Sequence, residues 1–184
     1  MGLFCENIRI KIGHYLNGLN KIKETTIENR TPSEVKSILI LSDVAIPNSQ
    51  QGISVLKKGL KEMCPKTDFT IIQFNSKKNG EGETMISDTN KEFVSEEDFS
   101  FFFKIKNQTV KNYLANQYDI VVLLTTTKQL YVDFMMKYTR GNLLIGKRDL
   151  SDKLNFIVDS EIDNIKLLAE TINKTYKMMF IGFK

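Results

Sequence analysis

His14 is the only histidine in a chain of 184 residues. A lone imidazole builds neither a metal site nor a nucleophile relay, so His14 reads as a surface or packing residue. No G-x-S-x-G elbow and no G-x-G-x-x-G turn occurs, which leaves triad hydrolysis and dinucleotide binding without support. The two cysteines, Cys5 and Cys64, lack the spacing of a disulfide framework or a zinc site, so reduced thiols are expected. No apolar run approaches the roughly 18 residues of a membrane span, and no charged region followed by an apolar core opens the chain. A cytoplasmic location is the expectation. Met1, Gly2 and Cys5 look faintly like an acylation signal, but Glu6 occupies the position where that pattern wants a hydroxyl. A strong charge of one sign is also missing: 26 basic residues face 22 acidic ones, for a net +4, and the basic residues are scattered. Nucleic-acid binding is therefore not expected.

What is present is a composition ordinary for a globular protein, 41% hydrophobic and 26% charged, at a length that suits one core. The most informative stretch is 118–146, YDIVVLLTTTKQLYVDFMMKYTRGNLLIG. Ile120, Val121, Val122, Leu123 and Leu124 form a continuous apolar run that suits a strand buried on both faces of a parallel sheet. Leu130, Tyr131, Phe134, Met135 and Tyr138 follow at helical spacing, Gly141 reads as the C-cap, and Leu143, Leu144 and Ile145 make another strand. This is a βαβ unit.

The remaining chain extends the alternation. Ser37 opens the strand SILIL, and Ile53, Leu56, Leu60 and Met63 mark a helix that starts at Asn48 or Ser49 and stops at Pro65. FTIIQF at 69–74 is the next strand. The stretch 75–98 reads as a long acidic loop, expected to be mobile over 76–91. Ser95 and Asp98 then form a capping box before Phe99, Phe101, Phe102 and Phe103, and Asn107 caps a short helix through Val110 and Leu114. A last strand at 154–158 precedes a helix with Ser160 and Asp163 as its capping box. The expected architecture is α/β: a three-layer, mostly parallel, five-stranded Rossmann-like sheet with helices on both faces. An amphipathic N-terminal helix with its linker (1–30) precedes this domain (31–184). Ile8, Ile12, Tyr15, Leu16, Leu19 and Ile22 mark its stripe, and Gly13 and Gly18 weaken it, so it must dock against something.

From about Ser37 to Tyr176 the arrangement resembles a family of short, uncharacterised Bacteroidota proteins with a Rossmann-like domain. The pieces that carry the likeness are SILILSD, EEDFSFFFKIKN, YDIVVLL and NLLIGK. That resemblance supplies no functional residue. YDIVVLL and NLLIGKR are also similar to the N-terminal half of heptosyltransferase-like glycosyltransferases. Here Ser42, Asp43, Val44 and Ala45 stand where those enzymes have a Gly-Asp turn, and a second, nucleotide-sugar-binding domain is not expected.

GNLLIGKR at 141–148 has P-loop spacing, but its central residues are apolar strand formers and Arg148 replaces the magnesium-binding hydroxyl. No catalytic residue, metal ligand or cofactor is read from the chain. Ligands of open parallel sheets bind beyond the carboxyl ends of the strands. Those ends bring together Asp43, Thr125, Thr126, Thr127, Lys128, Lys147, Arg148 and Asp159, a set that suits a phosphate or sugar phosphate. The plainer view is that these are caps and solvated turn residues. The leading expectation is thus a non-enzymatic interaction or scaffold protein. Its partner would meet the N-terminal helix (Ile8, Ile12, Leu16, Leu19) or Phe99, Phe101, Phe102 and Phe103. Anion binding at the strand ends, as a remnant of a sugar-transfer fold, is the alternative.

Overall fold

Ser37–Asp43 (β1), Asp68–Asn75 (β2), Lys91–Ser95 (β3), Gln117–Leu124 (β4), Arg140–Lys147 (β5) and Phe156–Val158 (β6) lie side by side in the computed structural model. They form one open, all-parallel sheet of order β3-β2-β1-β4-β5-β6. The structure describes residues 2–18, 31–75, 91–158, 161 and 163–181. The sheet has six strands where the sequence suggested five. The extra one, β3, lies in the stretch read as an acidic loop. Only Phe93 and Val94 could announce it, and as an edge strand it buries just one of them: Val94 is 1% exposed and Phe93 44%. Residues 76–90, where mobility was expected, fall outside the described part of the chain.

Alternation along the central strands splits the interior into two apolar clusters. Ile38, Ile40, Ile120 and Val122 meet Ser49–Met63 (α2) and Ile165–Ile181 (α5). Leu39, Leu41, Val121 and Leu123 meet Gln108–Ala115 (α3) and Leu130–Tyr138 (α4). Because both faces of β4 are covered, its sequence carries no polar alternation, which is why it read so clearly as a buried strand.

Two expected caps move. Gly141 is the second residue of β5 rather than the end of α4, which closes at Thr139. A Cβ at 141 would stand 2.6 Å from Cγ2 of Val121, so the glycine lets β5 lie close to β4. At α5 the N-cap is Asn164, whose Oδ1 accepts from the amides of Lys166 (2.9 Å) and Leu167 (3.2 Å). The Ser160–Asp163 box is not the cap, and Ser160 is outside the described residues. The Ser95–Asp98 box and the Asn107 cap form as expected.

Gly2–Gly18 (α1) docks on α4 and the phenylalanine turn, through a face other than the expected stripe. Ile8, Ile12 and Tyr15 are 43%, 38% and 70% exposed, whereas Gly13 is buried. A Cβ at Gly13 would stand 2.7 Å from the Phe103 ring and 3.2 Å from Phe134. A residue scored as a helix weakness is therefore the contact, since only a bare backbone can approach that closely. Leu19 and Ile22, and the side chain of Leu16, lie outside the described part.

The phenylalanine turn is not a single outward patch. Phe99 (4% exposed) and Phe103 (1%) belong to the main core, and only Phe101, at 66%, faces solvent. Phe103 stacks on Phe134 with centroids 4.5 Å apart, in a left-handed backbone conformation (φ 60°) that bulky residues rarely adopt.

Candidate functional site

The strand order reverses between β1 and β4, so the helices that follow these two strands leave on opposite faces: α2 belongs to one apolar cluster and α4 to the other. A crevice at the carboxyl ends of β1 and β4 results. Its floor is polar and closed to solvent. Ser42 and Asp43 are fully buried, Thr125 is 1% exposed and Thr126 8%. Register places Ser42 beside Leu124, which brings Asp43 and Thr125 to the same level. Asp43 Oδ1 accepts from the Ala45 amide at 2.8 Å, which fixes the turn after β1. Thr125 Oγ1 donates to Thr127 O at 3.0 Å and does the same for the turn after β4.

Two residues that sequence reading missed extend the polar floor. Gln73, fully buried in β2, donates to Ser42 Oγ (3.2 Å) and accepts from Gln50 Nε2 in the first turn of α2 (3.0 Å). The available signal was an amide between apolar residues of a strand, Ile72 and Phe74, a placement that must satisfy its hydrogen bonds internally.

The cationic side is arranged differently from expectation. Lys147 is the last residue of β5 rather than a turn residue, and its Nζ reaches Thr126 O (3.5 Å) and Asp163 (3.6 Å). Asp163 is 93% exposed, so this ion pair is strongly screened. Arg148, Thr127 and Lys128 are exposed at the rim. Asp159 lies outside the described residues. The stretch 141–147 is strand, which rules out a phosphate loop there. Among the described residues no group of three His, Cys, Asp or Glu could hold a metal ion.

The starts of the helices differ in a way that bears on ligands. The side-chain oxygens of Asn107 and Asn164 accept from first-turn amides of α3 and α5. The N-caps of α2 and α4, Asn48 (φ 63°) and Gln129, make no such bond. Both helices that open on the crevice thus present first-turn amides without a side-chain cap.

Away from the crevice, Lys153 Nζ caps the carboxyl end of α4 by donating to Lys137 O (2.9 Å) and Thr139 O (3.3 Å). Burial, with Lys137 and Arg140 nearby, lowers its pKa to about 8. Below that pH the amine is charged in both the folded and unfolded chain, so its contribution does not vary. Above it the folded protein loses the proton first, so stability rises with pH up to the unfolded value. Wild type should gain stability over Lys153→Met between pH 7.5 and 9.5, measured by urea denaturation. That window stays below the ionisation of Tyr118, Tyr131, Tyr138 and Tyr176, all raised by burial.

Among the described residues no helix is long and apolar enough to cross a membrane. No curated protein and no solved structure matches the chain. Over residues 11–179 it matches the model described as a family of unknown function (DUF6913), and to that family the chain belongs.

Proposed function

We propose that this protein binds a small anionic ligand, of the phosphate or sugar-phosphate class, in the crevice between β1 and β4 of a three-layer, Rossmann-like fold. The strand order supports the fold reading, since reversal beside the first strand is the hallmark of doubly wound sheets. The observation that carries the ligand reading is the pair of helices, α2 and α4, that open on the switch point without side-chain caps. Lys128, Lys147 and Arg148 add cationic charge around it. Asp43 shapes the β1 turn and Thr125 the β4 turn, and in this reading the protein acts as a binding module. The resemblance to the N-terminal half of sugar-transfer enzymes agrees with this ligand class. The buried free thiol of Cys64 is compatible with a reducing cytoplasm.

The interaction-protein reading is the weaker one. Two of its four phenylalanines are core residues, and the exposed Ile8, Ile12 and Phe101 are what an ordinary surface carries.

A thermal-shift screen of inorganic phosphate, sugar phosphates, nucleotides and carboxylates tests the proposal. At least one phosphorylated compound should stabilise the wild type, with an effect that shrinks as salt rises. Lys128→Ala combined with Arg148→Ala changes two exposed rim residues and so leaves basal stability nearly untouched. It should weaken the response by about tenfold in apparent affinity, the loss of one charge-assisted contact. Equal responses from the two proteins, or none from the wild type, would discard the reading.

A further inference from the structure

The N-terminal helix lies against the phenylalanine turn and α4, and Arg9 is one of its anchors there. Arg9 Nε donates to Phe101 O at 2.7 Å, and its guanidinium stands 4.9 Å from the Phe101 ring centroid and 4.5 Å from that of Phe103. Phe103 in turn meets the ring of Tyr131, in the first turn of α4, edge-on with centroids 5.6 Å apart. Among the described side chains around this arginine, Gly13 packs on Phe103 and Phe134, Ile10 is half-buried, and Ile8, Ile12 and Tyr15 are exposed.

Tyr131 continues the contact inward. Its ring stacks on Phe74 (5.0 Å, 20°) and leans on Phe99 (4.9 Å). Phe74 is the register partner of Asp43, and its carbonyl accepts from the Val44 amide at 2.8 Å. A line of packed groups and one hydrogen bond thus runs from Arg9 through Phe103, Tyr131 and Phe74 to the β1 turn of the crevice. Phe103 is the strained member beneath it, fully buried with a left-handed backbone under Arg9 and Gly13. Helix α1 covers this turn, so its release would change what the Phe103 ring packs against.

We infer that α1 is a strap latched by Arg9 across the phenylalanine turn, and that its docked and released states set the conformation of the crevice through Tyr131 and Phe74. This places a regulatory element on the site proposed above and rests on that reading for its biological use. The coupling itself is a property of the free protein.

Arg9→Ala and Gly13→Leu remove the latch in independent ways, one by deleting the fork and one by blocking the close approach. Amide NMR and hydrogen exchange on the whole chain, without any ligand, read both ends of the device. In both variants α1 amides should exchange about tenfold faster while those of β1 and β4 keep their protection, the signature of local rather than global opening. Amide resonances of Val44, Ala45 and Phe74 should shift together in the two variants. Unchanged exchange in α1 would remove the latch. Released α1 with unmoved Val44 and Phe74 resonances would remove the coupling. An empty ligand screen leaves either result standing, so failure of the ligand proposal and failure of the strap are told apart.

Discussion

Val122→Asp should leave the protein insoluble. Val122 is fully buried in β4, the strand between β1 and β5, where its register partners are Ile40 and Ile145. An aspartate there meets only the apolar cluster formed with α2 and α5. Burying an unpaired carboxylate costs several kcal/mol, comparable to the whole stability of a domain of this size. Expression followed by separation of soluble and insoluble fractions checks it. A soluble variant with the melting temperature of the wild type would mean that β4 is not central.

The second large effect is expected at Phe103, with an internal control. Phe103→Ala deletes a ring that stacks on Phe134 at 4.5 Å and supports Gly13, so it should cost about 3 to 5 kcal/mol. Phe103→Gly deletes the same ring but relieves the left-handed backbone (φ 60°), which only glycine adopts freely. The glycine variant should therefore be more stable than the alanine variant by about 1 kcal/mol, an inversion of the usual order. Urea midpoints of the two variants decide it. If Phe103→Ala is the more stable, the strain assigned to this turn does not exist.

These sites illustrate what the sequence could and could not convey. The β4–α4–β5 unit was legible because a continuous β-branched run, a helical stripe and a second apolar run each state their own period. The position of Gly141 was not: a glycine after a helical stripe reads as a cap, and its contact with Val121 belongs to another strand. β3 escaped because an edge strand of five residues, KEFVS, buries Val94 but leaves Phe93 exposed and shows no alternation to detect. For α1 the pattern gave a stripe but not the docking face. Contacts through Gly13 and Arg9 have no hydrophobic signature, and Ile8 and Ile12 of the stripe are exposed.

For the crevice, the strand ends were readable because a parallel sheet places all its carboxyl ends at one edge. Asp43 and Thr125 reach one level by register, and Lys147 reaches the Thr126 carbonyl. Strand order was not readable, since periodicity along a strand says nothing about its neighbours, and the reversal between β1 and β4 gives the site its place. Gln73 was missed for the same reason: its partners Ser42 and Gln50 come from other elements.

The most direct test of the account is an amide NMR titration of the wild type with the phosphorylated compound that stabilises it most, inorganic phosphate serving if none exceeds it. Shifts should be confined to residues 43–52 and 125–131, the turns and first helical turns that face the switch point. They should be weaker for the Lys128→Ala, Arg148→Ala protein at equal concentration. Shifts spread over scattered lysines, or centred away from β1 and β4, would contradict a site at the reversal of the sheet.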